Sequence, residues 1–308
     1  NVAQRGTSST GLGASDGYFT VDGYKLFFGG STAGRLTMTQ DSSAPEGFAN
    51  SMKLDCTTAD TSIAAGEFLL LRQSIEGQNL QAFAKGTSSA KPFAVSFYVK
   101  GNANATYVCE LEDADNTRQI SKTFNVTTDW TRVELSFPAD TTGTFDDDNA
   151  ASLYFNFWLN GGGSFTSGTL NSSGFAANNG PDRAAGISSF FDSTDRTFFL
   201  TGVQLEVGQN PTEFEHEPFE RTLSKCQRYF QLTQPNFFHS LAPMLDGASD
   251  LRGYVKFPVT MRATPTLTLD VGSGTITTNH NGIDGFNMVG TSTSTIHFLN
   301  DYTADAEL

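Results

Sequence analysis

Short segments in which apolar and polar residues alternate run through most of this 308-residue chain, and they limit its fold more than any other feature. In residues 93–99 every second residue is Phe or Val, which is the period of a strand with one buried face. Residues 131–137 and 153–160 alternate in the same way, and Gly, Ser and Asn separate such segments. The pattern predicts many short strands joined by turns.

A helical period occurs at residues 217–231, between two β regions. Pro218 can occupy the first turn of a helix. The apolar residues that recur at helical spacing are Phe219, Leu223, Cys226 and Phe230. These residues form one face of a helix, so the sequence predicts a single connecting helix over residues 218–231.

The predicted fold class is therefore all-β. Roughly nine or ten strands before the helix are typical of a two-sheet sandwich or jelly roll. We expect a jelly-roll β-sandwich over residues 1–215, a short linker helix over residues 216–231 and a smaller β-sandwich over residues 232–308.

The charge of the chain excludes several classes of partner. Its formal net charge is −14, and such a surface repels nucleic acids and anionic membranes. No segment is apolar enough to cross a bilayer, so we expect no membrane insertion. The three cysteines, Cys56, Cys109 and Cys226, do not form a disulfide framework, which fits assembly in a reducing cytoplasm. We expect a further segment to precede Asn1.

Acidic residues are the main candidates for catalysis or metal binding. They occur as Glu110, Glu112, Asp113 and Asp115, and again at residues 146–148. Paired carboxylates serve glycoside hydrolysis, and several oxygens together bind calcium. However, Arg118 occupies the position where a calcium loop starting at Asp113 needs Gly. We predict no catalytic residue, no enzyme activity and no cofactor, with structural calcium as the alternative and the metal ligands left open.

Residues 153–160 provide the best candidate binding surface. With Leu and Phe facing the core, the opposite face carries Tyr154, Asn156, Trp158 and Asn160. An aromatic ring beside side-chain amides suits a sugar, and Tyr98 and Arg132 face outward on their own strands. We predict glycan binding by these six residues, and a subunit interface is the alternative. The long Gly-, Ser- and Asn-rich stretch at residues 160–182 is a second candidate for recognition.

Several motifs resemble those of bacteriophage tail-fibre and head-fibre proteins. The most specific are LTGVQLEVG at residues 200–208, PTEFEH at residues 211–216 and CQRYF at residues 226–230. VAQRGTS at residues 2–8 and FPVTMRATPT at residues 257–266 are also similar. The first domain is similar to jelly-roll carbohydrate-binding modules as well.

This resemblance implies a structural and adhesive protein on the exterior of a phage particle, a fibre or spike. It further implies a homotrimer that contacts other virion proteins and recognises polysaccharide on the host surface. A head-decoration protein or a dedicated carbohydrate-binding module is the alternative, and a glycan-cleaving enzyme fits less well.

Overall fold

The protein is described by a computed structural model, which divides into two compact, nearly all-β units, Ala3–His216 and Glu217–Leu308. The residues that the structure describes are 2–233, 239–240, 242–243, 251–290 and 298–308.

The first unit contains thirteen strands, most of them between five and eleven residues long. In chain order they are β1 (Ser8–Leu12), β2 (Gly17–Tyr18), β3 (Lys25–Gly29), β4 (Arg35–Asp41), β5 (Ser51–Thr58), β6 (Phe68–Glu76), β7 (Phe93–Gly101), β8 (Ala105–Asp113), β9 (Arg118–Val126), β10 (Thr131–Phe137), β11 (Ala151–Gly161), β12 (Ala176–Ala177) and β13 (Thr197–Val207).

These strands form two antiparallel sheets. The six-stranded sheet has the order β1-β4-β5-β13-β7-β10, and the seven-stranded sheet has the order β12-β9-β8-β11-β6-β3-β2. The chain passes repeatedly from one sheet to the other, as in a jelly roll. The predicted jelly-roll β-sandwich is thus confirmed.

The core lies between the two sheets and is rich in Phe. Phe97 on β7 meets Phe157 on β11 and Phe124 on β9 edge to face, with ring centroids 5.0 Å apart in both pairs. Because these residues recur at every second position of their strands, each strand places one complete set of apolar side chains in the core. The alternation in the sequence therefore corresponds directly to this packing.

Helices are few and short in the described residues. The α-helices are α1 (Gly163–Thr166) and α2 (Phe219–Gln227), and short 3₁₀ turns occur at Gly77–Asn79, Gln81–Phe83 and Gly180–Asp182. No helix in the described residues is long and apolar enough to cross a membrane.

Helix α2 is the expected linker helix, but it ends four residues earlier than the sequence predicts. Phe230 does not continue the helix, because it begins strand β14 (Phe230–Leu232) and pairs with Asp305. The helical spacing that included Phe230 was therefore overridden by pairing with a distant strand.

The second unit has its own small sandwich. Its remaining strands are β15 (His239–Ser240), β16 (Ala242–Pro243), β17 (Leu251–Lys256), β18 (Thr266–Ser273), β19 (Ile276–Gly282), β20 (Gly285–Gly290) and β21 (Phe298–Asp305). One sheet places β14, β15 and β18 against β21, and the other has the order β16-β17-β20-β19. Phe286 and Tyr302, from different sheets, meet edge to face at 5.1 Å in its core.

Candidate functional site

The outer face of the seven-stranded sheet carries three of the six predicted binding residues. Leu153, Phe155, Phe157 and Leu159 of β11 belong to the main core. On the opposite face, Tyr154, Asn156 and Trp158 pair with residues of β6, so the strand period gave a shared face for these three. It does not extend to Asn160, because a β-bulge follows Trp158 and Asn160 pairs with Leu69 of the main core.

A segment of the chain lies over part of this outer face and changes what that face can do. Residues 162–187, here called the covering segment, place Phe165 and Ala184 against Trp158. Trp158 is 1 % exposed, and Asn156 and Asn160 are fully buried. Three of the four predicted side chains therefore belong to the interior of the unit in this structure, and their glycan-binding role stays a prediction. Tyr154 is half-buried at the open end.

The covering segment is more than the irregular loop that its composition suggests. Leu170 and Ile187 pack with Phe165 around Trp158, Leu70 and Val108 in a second small core. Side-chain contacts extend this packing, because the Phe165 ring centroid lies 5.1 Å from that of Phe68. The segment is thus tied to the sheet by apolar burial as well as by polar contacts.

The polar contacts centre on Glu110, which is fully buried on β8. Its carboxylate accepts two hydrogen bonds from the guanidinium of Arg183, at 2.7 and 2.8 Å. It also accepts bonds from Nε1 of Trp158 and Nδ2 of Asn156, both at 2.8 Å. Four donor contacts compensate the desolvation of this carboxylate, and a bidentate arginine is the best-matched cation for it.

Glu112, two residues along β8, extends the same network. It accepts from Arg183 at 2.6 Å and from Arg72 at 3.0 Å. Its other oxygen accepts from Asn178 of the covering segment at 3.1 Å. Arg183 and Asn178 therefore fasten the covering segment to the sheet through two carboxylates.

Arg183 is the cation at the centre of this network. Burial would lower the pKa of Arg183, but the carboxylates of Glu110 and Glu112 outweigh it and raise the pKa above its ordinary value. Each carboxylate is neutralised by a guanidinium. A general acid or base must reach a substrate proton, and these saturated carboxylates are placed to hold the fold together.

Beyond the edge of the covering segment, the same sheet face is open and mixes aromatic rings with cations. We call Tyr18, Lys25, Arg72 and Tyr154 the open strip. Strand pairing places Lys25 beside Arg72 on one side and beside Tyr18 on the other. The Arg72 guanidinium lies 4.0 Å from the centre of the Tyr154 ring, and the Lys25 ammonium lies 5.9 Å from that of Tyr18.

Two polar groups of the open strip are available to a ligand. Among the described residues, neither the Lys25 ammonium nor the Tyr154 hydroxyl makes a hydrogen bond or an ion pair. Arg72, in contrast, is committed to Glu112 and donates to Oδ1 of Asn156 at 2.8 Å. Arg72 therefore joins the buried network to the open strip and holds the Tyr154 ring in place.

Tyr98 and Arg132 lie on the other sheet, so the structure does not bring them to Tyr154. They pair with each other across β7 and β10. The Arg132 guanidinium donates to the backbone oxygen of Thr212 and contacts Glu134. The predicted residues therefore do not form one surface, because Tyr98 and Arg132 lie on a different sheet from Tyr154.

The motif at residues 200–216 has a structural explanation on that second face. Gly202 has a φ of +60°, and a Cβ there would lie 2.7 Å from the Phe48 ring, so only glycine fits. Further along β13, Gln204 Oε1 accepts from the backbone nitrogen of Glu215 at 2.8 Å. Glu206 accepts from the backbone nitrogen of Thr212 at 2.7 Å. These two hydrogen bonds hold the segment that follows β13 against that strand.

The other acidic residues also have structural partners. Asp113 is fully buried against the ammonium of Lys85, which also lies 3.2 Å from Asp140. In residues 146–148, the backbone nitrogen of Asp146 donates to Asp115 at 3.0 Å. Among the described residues no group of three or more His, Cys, Asp or Glu side chains is placed to hold a metal ion. Structural calcium stays a prediction.

Sequence reasoning did not find Arg72, Arg183 or Lys25. Arg183 follows a stretch without periodicity, and nothing local shows that its partner is Glu110, 73 residues earlier. Lys25 is followed by consecutive apolar residues in β3, and Arg72 follows three consecutive leucines in β6. Neither strand shows a clear alternation, so no local pattern identified the open strip.

Comparison with known proteins gives similarities of fold at low identity. No family model and no curated protein matches the chain. A solved structure described as "Crystal Structure of Family 30 Carbohydrate Binding Module" is 12 % identical, with 72 % of this chain and 92 % of that chain covered and a TM-score of 0.34. A family 11 carbohydrate-binding module from Clostridium thermocellum, in complex with a mixed-linked tetrasaccharide, is 14 % identical, with 68 % and 98 % covered and a TM-score of 0.32.

A third similar structure comes from a phage. It is the enzymatically active domain of tailspike protein 4 of bacteriophage CBA120, at 13 % identity and a TM-score of 0.33. The match covers 60 % of this chain but only 19 % of that one.

Proposed function

We propose that this chain is a non-catalytic, structural and adhesive protein on the exterior of a bacteriophage particle, a fibre or spike that recognises host polysaccharide. The motifs at residues 200–216 and 226–230 support the particle assignment by their resemblance to fibre proteins. The observation that carries glycan recognition is the open strip, where aromatic rings and unpaired polar groups share one sheet face. A head-decoration protein is the alternative for its position on the particle.

The chemistry of the open strip suits a sugar chain. The Tyr154 ring offers an apolar surface together with a hydroxyl that can both donate and accept. The Lys25 ammonium can donate three hydrogen bonds to hydroxyl or carboxylate oxygens. Since the protein is otherwise strongly acidic, a cationic strip is where an acidic polysaccharide is best accommodated.

Binding to an array of acidic and neutral bacterial polysaccharides tests this proposal. We expect acidic polysaccharides to bind, and Lys25→Ala and Tyr154→Phe to weaken that binding. The matched controls lie on the other sheet: Lys100 also lies beside an aromatic ring, 5.6 Å from the centre of Phe199, and Tyr98 is also half-buried. If Lys100→Ala and Tyr98→Phe are the variants that lose binding, the glycan face is the six-stranded sheet; if nothing on the array binds, glycan recognition is wrong.

The non-catalytic part of the proposal needs its own measurement. The saturated carboxylates of Glu110 and Glu112 support it. We expect no new reducing ends when the protein is incubated with each polysaccharide that it binds. Turnover that is lost on replacing one carboxylate, with the fold retained, would contradict this part.

We further propose that the chain is a homotrimer that contacts other virion proteins. The six-stranded sheet ends at β1 and β10, and exposed strand edges favour association with further chains. Light scattering should give three times the mass of the 33.1 kDa chain. A monomer mass would refute the trimer and leave glycan recognition to be judged separately, as in a dedicated carbohydrate-binding module.

A further inference from the structure

The covering segment and strand β9 enclose a cavity that is separate from the open strip. Its volume is about 440 Å³, and Gln119, Leu170, Asn179 and Asp182 contribute to its walls. Ser172 and Ser173, both exposed, also line it, so the cavity opens to solvent. Its size falls at the lower end of the range of small-molecule sites, about 300–1,000 Å³.

A buried amide in the wall of this cavity has one end without a partner. Gln119 is fully buried on β9. Its Oε1 accepts from the hydroxyl of Ser121 at 3.1 Å, whereas its Nε2 has no hydrogen-bond partner among the described residues. If the positions of Oε1 and Nε2 are exchanged, the Ser121 hydroxyl still forms a hydrogen bond with only one of these two atoms. A buried donor without a partner is unfavourable. Because Gln119 lines the cavity, a small shift of its side chain would let an oxygen atom of a ligand satisfy this donor.

The cavity also offers acceptors. Oδ1 of Asp182 accepts from the backbone nitrogen of Thr169 at 2.9 Å, and Oδ2 accepts from Nδ2 of Asn179 at 2.6 Å. Each carboxylate oxygen has a further lone pair. An amide donor and a carboxylate acceptor in one small cavity match the hydroxyl groups of a sugar, which both donate and accept.

The charge of the lining separates this cavity from the open strip. Its described lining includes Asp182 but no Lys or Arg, so it disfavours an anionic ligand. The open strip contains Lys25 and Arg72 and favours one. The two places on the same outer face therefore select different sugars.

The walls are held in place before any ligand arrives. Nδ2 of Asn171 donates to the backbone oxygen of Gln119 at 2.7 Å. The backbone nitrogen of Ser121 donates to the backbone oxygen of Asn171, also at 2.7 Å. Arg183, next to Asp182, is fixed by Glu110. Such preorganisation reduces the entropy lost on binding.

We propose that this cavity binds one neutral sugar residue, as the end of a glycan chain, through Gln119 and Asp182. The ligand class rests on the proposed function, but the site is distinct from the open strip. The cavity would thereby recognise the end of a chain, whereas the strip contacts acidic residues elsewhere along it.

Saturation-transfer NMR with individual monosaccharides tests the proposal. The probes are D-glucose, D-galactose, D-mannose, N-acetyl-D-glucosamine and D-glucuronate. We expect at least one neutral sugar to bind in the cavity, whereas any binding of glucuronate comes from the open strip and should be the same in wild type and Gln119→Leu. Gln119→Leu removes the donor and should weaken binding by about tenfold, the loss of roughly one hydrogen bond.

A second variant and a control keep the result interpretable. Ser173→Leu fills the cavity from an exposed position, so it should reduce binding of the neutral sugar even if Gln119→Leu fails to fold. Gln209→Leu, at an exposed glutamine outside the cavity, should leave binding unchanged. Because the probes are single sugars, a failure of the open strip to bind polysaccharide leaves this result unchanged, and the two failures are distinguishable. If no neutral sugar binds, or if Ser173→Leu binds as well as the wild type, the proposal is wrong.

Discussion

The outer face of the seven-stranded sheet has a covered half, under the covering segment, and an open half, which contains the open strip. Similar side chains occur in both halves, but they are structural in the first and available to a ligand in the second. In the covered half, Trp158 and Arg183 pack together, with the guanidinium 5.0 Å from the ring centre, and both bind the buried Glu110. In the open half, Tyr154 and Arg72 make a similar contact at 4.0 Å, but the phenol hydroxyl is left available. The difference comes from the covering segment alone, so an aromatic residue on an outward strand face identifies a binding site only where nothing crosses over it.

The strongest test of this comparison is to break the attachment of the covering segment. Arg183→Met leaves the carboxylate of Glu110 buried without its cation, and the loss of one partner of a buried ion pair costs about 3–5 kcal/mol. We expect urea unfolding to show a loss of that size. Because the defect is the unpaired charge, adding Glu110→Gln to Arg183→Met should recover part of the stability. An Arg183→Met variant as stable as the wild type would show that the network does not fasten the segment.

Trp158→Phe tests whether Trp158 acts as an interior residue. The substitution removes the Nε1 donor to Glu110 and part of the ring that packs on Phe165. We expect stability to fall by about 1–3 kcal/mol, measured by urea unfolding. Polysaccharide binding by the folded variant should be retained. Loss of binding with unchanged stability would instead restore Trp158 as the glycan contact that its sequence position suggests.

The strand period predicted which residues share a face, but not which faces are covered. In β11 the alternation is a local property of the backbone, so Tyr154 and Trp158 were correctly placed together. Their different burial depends on residues 162–187, which fold through contacts such as that of Arg183 with Glu110, and these have no periodic pattern. The unpaired amide of Gln119 could not be foreseen either, because it follows from the position of Ser121 and of the covering segment together.

Acid should weaken a further attachment of the covering segment, made by Arg118. Its guanidinium donates to Asp140 and to the backbone oxygen of Phe175. Burial would raise the pKa of Asp140, but hydrogen bonds from Arg118, Thr142 and Lys85 outweigh it and lower the pKa below its ordinary value of 3.8. The stabilisation by Asp140 is therefore complete above the unfolded-state pKa and is lost as the pH falls through the lower, folded-state pKa.

The variant Asp140→Asn isolates this effect. At neutral pH the wild type should be more stable than the variant to urea, since only the wild type has the charged pair with Arg118. That difference should shrink as the pH falls below the ordinary pKa of the carboxyl, because the wild type then loses its charge as well. A stability difference that stays constant from neutral to strongly acidic pH would mean that the ionised form of Asp140 contributes nothing.

The smallest effect on stability is expected in the open half, at Lys25. Its ammonium contacts the rings of Tyr18 and Phe27 from 5.9 and 5.6 Å and makes no ion pair among the described residues. Lys25 is half-buried, and surface substitutions away from the core and from ion-pair networks usually change stability by less than about 0.5 kcal/mol. Lys25→Ala should therefore unfold at nearly the wild-type urea concentration. Yet the same variant should bind acidic polysaccharide more weakly, with a reduced dependence on salt, because one of the strip's cations is gone. A substitution in the covered half, such as Trp158→Phe, should instead reduce stability and leave polysaccharide binding unchanged. If Lys25→Ala were as destabilising as Trp158→Phe, the open strip would be part of the structural network, and the distinction between the two halves would fail.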